Sequence, residues 1–400
     1  MTQRRTILGA ALGAATLTAI GPTTAAHAAS HRRGPLILIG GSLADDNTAV
    51  YGEIVARAGG GDARIGVLTA SSIPPSQDPD AGTPDAANSR ANGQYYADLL
   101  RSHGAGDAVW IPVDLDNIAA ADDPAVAALA AGCTGFFFGG GDQFRYITTL
   151  LHGDAHTDTL VMAAIRRRHA AGAVVAGSSA GAQIHQGTDM VTGGESYEAL
   201  RDGAKPGYFD DPDLSGYWPA GGFGLLTSGL IDTHFSAYGR LGRAIQLATD
   251  TGHHRVYGLD PDTALLVTAP GSADERGRVL GTGGVNILDL REGVRWSHLT
   301  AGFTYHPRTW RHHPADDVRR LRDEHGGPVP GSDDIFGDYV ATTLALQLAG
   351  SRDVSVTGFT RQAEPRFAVT LTKLGGFTAY TRDGVTAAAF GALNVRIRQV

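Results

Sequence analysis

From residue 36 onward the apolar residues fall in short unbroken runs instead of alternating with polar ones. The runs are Leu36-Ile37-Leu38-Ile39, Ile65-Gly66-Val67-Leu68, Ala108-Val109-Trp110-Ile111, Gly135-Phe136-Phe137-Phe138 and Ala173-Val174-Val175-Ala176. Each is too brief for a helix and has no wet face, so each predicts a strand buried on both sides. Helical spacing fills the gaps at 92–103, 124–131 and 157–171. This alternation predicts an α/β fold: a doubly wound, mainly parallel sheet with helices on both faces. From about residue 307 the pattern changes to a charged stretch at 308–325, a helix at 339–348 and β-like runs at 354–360, 367–374 and 387–400. The chain is therefore divided into a leader (1–28), an α/β domain (29–306) and a small C-terminal β-rich module (307–400).

The leader reads as an export address. Arg4-Arg5 precedes a weakly apolar Ala/Gly/Leu run and then Ala26-His27-Ala28, the pattern of a twin-arginine signal with a signal-peptidase site. Leu8 to Ile20 is too short and too rich in Ala, Gly and Thr to span a bilayer. The mature chain is expected to start near Ala29 in a secreted or extracytoplasmic protein. The formal net charge is −8, and removal of the leader, with its two arginines and no acids, leaves 31 bases against 41 acids. A chain this acidic is not expected to seek nucleic acid or an anionic membrane. Cys133, the only cysteine, excludes an internal disulfide and is read as a buried structural thiol.

Chemistry first shows at Gly177-Ser178-Ser179-Ala180-Gly181. Here an apolar strand precedes a G-x-S-x-G turn, and Ala182-Gln183-Ile184 opens a helix after it. That context makes Ser179 the candidate nucleophile, lifted to the carboxyl edge of the sheet on a tight turn. A hydroxyl at neutral pH needs a base for its proton and donors for the developing oxyanion. Gly139-Gly140-Gly141 follows the Phe-rich strand and emerges at the same sheet edge, so Gly141 and Ala180 are the expected oxyanion donors. No Lys-Ser/Thr and no Rossmann spacing follows these glycines, which argues against a phosphate loop. Among 15 histidines, His234 is the candidate base: Leu230-Ile231-Asp232-Thr233-His234 ends an apolar strand just before Arg240 and Arg243. The pairs His253-His254 and His312-His313 lack metal-ligand spacing with supporting acids, and no metal or organic cofactor is expected. The aromatics of 203–222 (Tyr208, Phe209, Tyr217, Trp218) either line a groove beside the site or pack on the sheet's rim.

These motifs stand in the order seen in the cyanophycinase family of serine peptidases. Ile39-Gly40-Gly41, Gly-Asp-Gln at 141–143, Ser179-Ala180-Gly181-Ala182, Gly193-Gly194-Glu195-Ser196-Tyr197 and Asp232-Thr233-His234-Phe235-Ser236 resemble that family across about 36–267. The resemblance implies a class I glutamine-amidotransferase-like fold, a homodimer, and release of β-Asp-Arg dipeptides from cyanophycin. It also implies that Gln143, Asp232, Arg240 and Arg243 line the substrate pocket; guanidinium forks suit carboxylates, and an aspartate suits a cationic end.

Three positions depart from the family. Tyr238 stands where it carries arginine, Thr233 where it carries glutamine, and Pro261 where it carries the glutamate that orients the histidine. Proline's side chain cannot accept that hydrogen bond. The third member is then Asp262, favoured because Thr263-Ala264 keeps the family frame, or Asp260; otherwise the pair works as a dyad, or activity is lost. Two further readings stay open: an aspartyl or isoaspartyl dipeptidase, and a non-catalytic peptide-binding homologue.

Overall fold

The computed structural model describes residues 33–400 apart from 154, 210, 212 and 322–326. The leader and its cleavage site thus lie outside the described residues. All five predicted strands form, and they lie side by side and parallel in the order Asp107–Trp110, Arg64–Leu68, Gly135–Phe138, Val174–Ser178, Leu36–Ile39. The continuous apolar runs follow from two-sided burial. Leu36, Leu38, Phe136, Phe138 and Val175 enter one core, with Val161, Met162 and Ile165 of the helix Leu160–Ala170. Their neighbours Ile37, Ile39, Phe137, Val174 and Ala176 enter a second, with Tyr51, Ile54, Ala97 and Leu100 from the helices Thr48–Ala58 and Ser89–Ser102. Alternate side chains of one strand point to opposite faces, so each face needs its own helical cover. The doubly wound, mainly parallel expectation is met in this sheet.

The predicted helices form with small shifts set by their caps. Asn88 accepts from the N–H groups of Arg90 and Ala91, starting the second helix at Ser89. Thr159 caps the helix Leu160–Ala170, leaving Thr157–Asp158 in a two-residue strand. Cys133 is fully buried, and burial pushes its thiol up to about 11, as a structural role requires.

Beyond Leu36–Ile39 the first sheet continues antiparallel, through Thr263–Thr268, Arg276–Gly281, Thr304–His306 and Arg311–His313. A second large sheet begins with Leu230–Thr233 parallel to Arg255–Leu259 and proceeds through Gly284–Asp289 and Val294–Thr300. The C-terminal strands are part of this sheet. Ala389–Gln399 pairs antiparallel with Val294–Thr300, and Phe367–Thr372 and Ser355–Phe359 follow it outward. The segment from 307 therefore shares a hydrogen-bonded sheet and an apolar core, around Trp296, Leu344, Phe390 and Leu393, with the strands before it. Among the described residues no helix is long and apolar enough to cross a membrane.

Candidate active site

Ser179 follows the strand Val174–Ser178 directly and turns the chain into the single-turn helix Ala180–Gln183. The serine takes φ 53°, ψ −119°, which an L residue rarely adopts and which the surroundings must enforce. The spacing of the two motif glycines supplies that enforcement. A Cβ on Gly177 would lie 2.0 Å from the Gly181 carbonyl oxygen, and one on Gly181 would lie 2.1 Å from that of Phe138. Only bare α-carbons let the turn close this tightly. The Ser179 side chain does not cap the helix, so its hydroxyl is left for other partners.

The candidate base arrives from the other sheet. His234 follows Leu230–Thr233, and its N–H donates to the Gly40 carbonyl at 2.8 Å, tying the second sheet to the loop after the first strand. Its Nε2 lies 2.9 Å from Ser179 Oγ. The ring is closely packed: Gly41, at φ 99°, approaches it so nearly that a Cβ would sit 2.2 Å from Cε1 and Nε2, and the Tyr238 ring stacks on it at 4.9 Å and 10°. Arg240 in turn lies over the Tyr238 ring, its guanidinium carbon 4.9 Å from the centroid. Burial, reinforced by the Arg240 charge, holds the imidazole down to about 4. His234 is accordingly neutral and able to accept a proton at neutral pH.

Among the described residues no carboxylate bonds His234, and the expected Asp262 is bonded elsewhere. Its Oδ1 accepts from Ala44 N at 3.0 Å and Asn47 Nδ2 at 2.8 Å, and its Oδ2 accepts from Thr282 at 2.7 Å. Those bonds lash the 260–263 turn to the start of the first helix and hold the carboxyl below its usual range despite partial burial. Asp260 is equally committed, accepting from Ser236 N at 2.9 Å and Asn286 Nδ2 at 3.1 Å. His234 Nδ1 has no hydrogen bond among the described residues, so Ser179 and His234 stand as a dyad oriented by packing.

Around the pair lie the other expected residues. Gly140 is the loop glycine against the nucleophile: a Cβ there would lie 3.3 Å from Ser179 Cβ, whereas one on Gly141 would run into the Ser71 carbonyl. Ser71, which sequence reasoning missed, donates to the Gly140 carbonyl at 2.7 Å. A planar trans peptide with its carbonyl turned to Ser71 aims the Gly141 N–H the opposite way. The N–H groups of Gly141 and Ala180 donate to no acceptor among the described residues, as oxyanion donors must before substrate arrives. Gln143 is buried and donates to the Val191 carbonyl at 2.7 Å. Asp232 and Arg243 are spent on each other in a buried bidentate pair, with contacts of 2.9 and 2.6 Å. Asp232 also lies 3.4 Å from Arg240 Nη1, so its carboxylate already faces two guanidiniums where the sequence reading gave it to a substrate cation. Arg240 donates to the Thr233 carbonyl at 2.5 Å but keeps a buried Nε with no partner among the described residues. The aromatic loop packs locally: Tyr208 stacks on Phe144 at 4.5 Å and Trp218 meets the same ring edge-on at 4.9 Å.

Comparison with known proteins bears on this arrangement. The chain is 31% identical over 270 residues to the cyanophycinase of Synechococcus elongatus, covering 66% of this chain and 71% of that one. The chain belongs to the cyanophycinase family. With the Geminocystis herdmanii cyanophycinase it shares 28% identity over 263 residues, 64% of this chain and 81% of the relative. A solved peptidase from an acI-B1 actinobacterium superposes with a TM-score of 0.48 at 19% identity, covering 69% of this chain and 98% of that one. No family model matches the chain. At two of the three positions where the sequence departs from the resemblance, packing stands where charge is expected: Tyr238 stacks on the imidazole, and Pro261 takes the place of the expected acid.

Proposed function

We propose that this cyanophycinase-family chain is an exported serine exopeptidase that cleaves cyanophycin or a related β-aspartyl peptide through an acyl-enzyme, releasing β-Asp-Arg dipeptides. The observation that carries the reading is the 2.9 Å contact of Ser179 Oγ with a neutral His234 Nε2, at a strained turn beside unpaired backbone donors. In the acylation step Oγ bonds to the scissile carbonyl carbon while its proton passes to Nε2. The carbonyl oxygen takes the electron pair and is held by the N–H groups of Gly141 and Ala180. Collapse of the tetrahedral intermediate breaks the C–N bond, and the departing amine takes the proton from His234. Water then attacks the ester, gives its proton to the same nitrogen, and Ser179 leaves with it, yielding a free carboxylate. Arg240, whose guanidinium lies over the Tyr238 ring that stacks on the base, is the residue assigned to a substrate carboxylate.

The test is release of β-Asp-Arg from cyanophycin by the purified mature chain and none by Ser179→Ala. A smaller-substrate reading, a β-aspartyl dipeptidase, draws on Tyr238 occupying space beside the base, half-exposed at 49%; preference for dipeptides over polymer would select it. A non-catalytic binder draws on the unpartnered Nδ1 of His234, and would be selected by failure of a fluorophosphonate to label Ser179. Export is tested by sequencing the protein recovered from culture medium, which should begin near Ala29, and by Arg4→Lys/Arg5→Lys, which should keep it inside the cell.

A further inference from the structure

The unusual feature of the dyad is that nothing bonded to Nδ1 sets the plane of the His234 ring. In a complete triad the acid does so, and its loss costs about 10⁴ in rate. Orientation here comes from the packing on the ring and from the backbone that carries it, which is held at φ 48°, a conformation that relaxes unless its neighbours restrain it.

Those restraints converge two residues on, at Ser236, which is 4% exposed. Its N–H donates to the buried Asp260 carboxylate at 2.9 Å. Its hydroxyl shares a 2.6 Å hydrogen bond with Thr342 Oγ1, and its carbonyl accepts from Tyr339 N at 2.7 Å. All three polar groups of one residue are thus taken by partners far away in sequence. Asp260 is anchored by Asn286, whose Oδ1 accepts from Trp296 Nε1 and contacts His298 Nδ1, both at 2.9 Å. Tyr339 and Thr342 belong to the start of the helix Val340–Gly350 in the C-terminal segment. Just before it, the Phe336 carbonyl lies where a Cβ on Gly239 would be 1.9 Å away, and the Phe336 ring presses on Gly242. The loop from His234 to Arg243 is therefore gripped by Asp260 on one side and by residues 336–342 on the other.

We propose that Ser236 is the positioning residue for His234 and that the C-terminal segment, through Thr342 and Tyr339, is a working part of the catalytic apparatus. The inference rests on His234 acting as the base in the proposed function. The bond to the buried Asp260 carboxyl, together with the bonds to Thr342 and Tyr339, replaces the acid expected at Pro261, acting on the backbone instead of the ring.

The test deletes one hydroxyl from either side of the Ser236–Thr342 bond in the full mature chain. Ser179 labelling by a fluorophosphonate reads the competence of the dyad without reference to substrate, and peptide turnover is read beside it. Thr342→Val and Ser236→Ala should each slow labelling and lower kcat by about tenfold with KM within about twofold, as a displaced base does. The double variant should be no slower than either single, because both remove the same bond. Thr342→Ser, which restores the hydroxyl, should return the rate. Leu348→Ala, on the same helix in the apolar core and away from Ser236, controls for stability alone and should label at the wild-type rate below its melting temperature. Labelling of Thr342→Val at the wild-type rate, additive singles, or equal slowing in Leu348→Ala would overturn the proposal. If Thr342→Val does not fold, Ser236→Ala and the Thr342→Ser rescue decide alone. Wild-type protein that labels but releases nothing from cyanophycin rejects the substrate reading and leaves the labelling comparison standing; wild-type protein that does not label removes both.

Discussion

Gly41→Ala places the heaviest load on the packing account of this site. The residue is at φ 99°, where a β-carbon alone costs about 1–2 kcal/mol of backbone strain. The larger effect is local. The new methyl would lie 2.2 Å from both Cε1 and Nε2 of His234, and an ordinary carbon contact needs about 3.5 Å, so the ring must retreat by more than about 1 Å. Tyr238, stacked on the ring at 4.9 Å, leaves it little room, so the ring has to tilt or swing. Either motion disturbs the 2.9 Å contact with Ser179 Oγ. Displacement of a catalytic group by 1 Å costs about 10² in rate, and the variant is expected to lose at least that in both fluorophosphonate labelling and peptide turnover. Circular dichroism and thermal melting should show a folded protein, since Gly41 lies in a loop outside the three apolar cores. Labelling within twofold of wild type, in a folded Gly41→Ala protein, would refute the claim that packing sets the position of the base.

Three further outcomes are expected. Asp262→Asn should keep kcat within about threefold while costing on the order of 1 kcal/mol of stability through weakened bonds to Ala44, Asn47 and Thr282; a loss of 10³ or more in kcat would restore Asp262 to the relay. Because burial and the Arg240 charge both disfavour imidazolium, kcat/KM should be flat near neutrality and fall only as pH drops through about 4. Arg240→Met should raise that midpoint, and a wild-type midpoint near about 6.5 would contradict the environment described. Arg243→Met leaves the Asp232 carboxylate buried without its bidentate partner, so urea unfolding should show a loss of about 3–5 kcal/mol; a loss below about 1 kcal/mol would mean the pair is not buried as a unit.

How far the site was legible from the chain alone follows the range of each interaction. The elbow is legible in five residues: Gly177 and Gly181 are needed because a Cβ on either would overlap a backbone oxygen, at 2.0 and 2.1 Å, and a motif this short is written in the sequence. The five buried strands were equally visible, since two-sided burial demands apolar residues at every position. His234 could be singled out by its strand end and its arginines. The partners of Asp262 could not, because the choice between His234 and Asn47 turns on where a side chain in a φ 54° turn points. Ser71 carried no pattern at all, and Ser236 and Tyr238 were visible only as a motif member and a departure from the family; their contacts acquire meaning only from what stands opposite.

By itself, then, the sequence determined the strand–helix order of the first sheet and the turn that carries Ser179, through steric and burial rules that act within a few residues or repeat with a fixed period, and it singled out His234 as the candidate base. Tertiary structure alone decided that the base comes from a second sheet, that the C-terminal strands complete that sheet, and that Asp232 and Asp262 are bonded away from the roles their positions suggested. The physical reason is that a hydrogen bond is won or lost over less than 1 Å, while residues as distant as Ser236 and Thr342 meet only after every intervening element has packed.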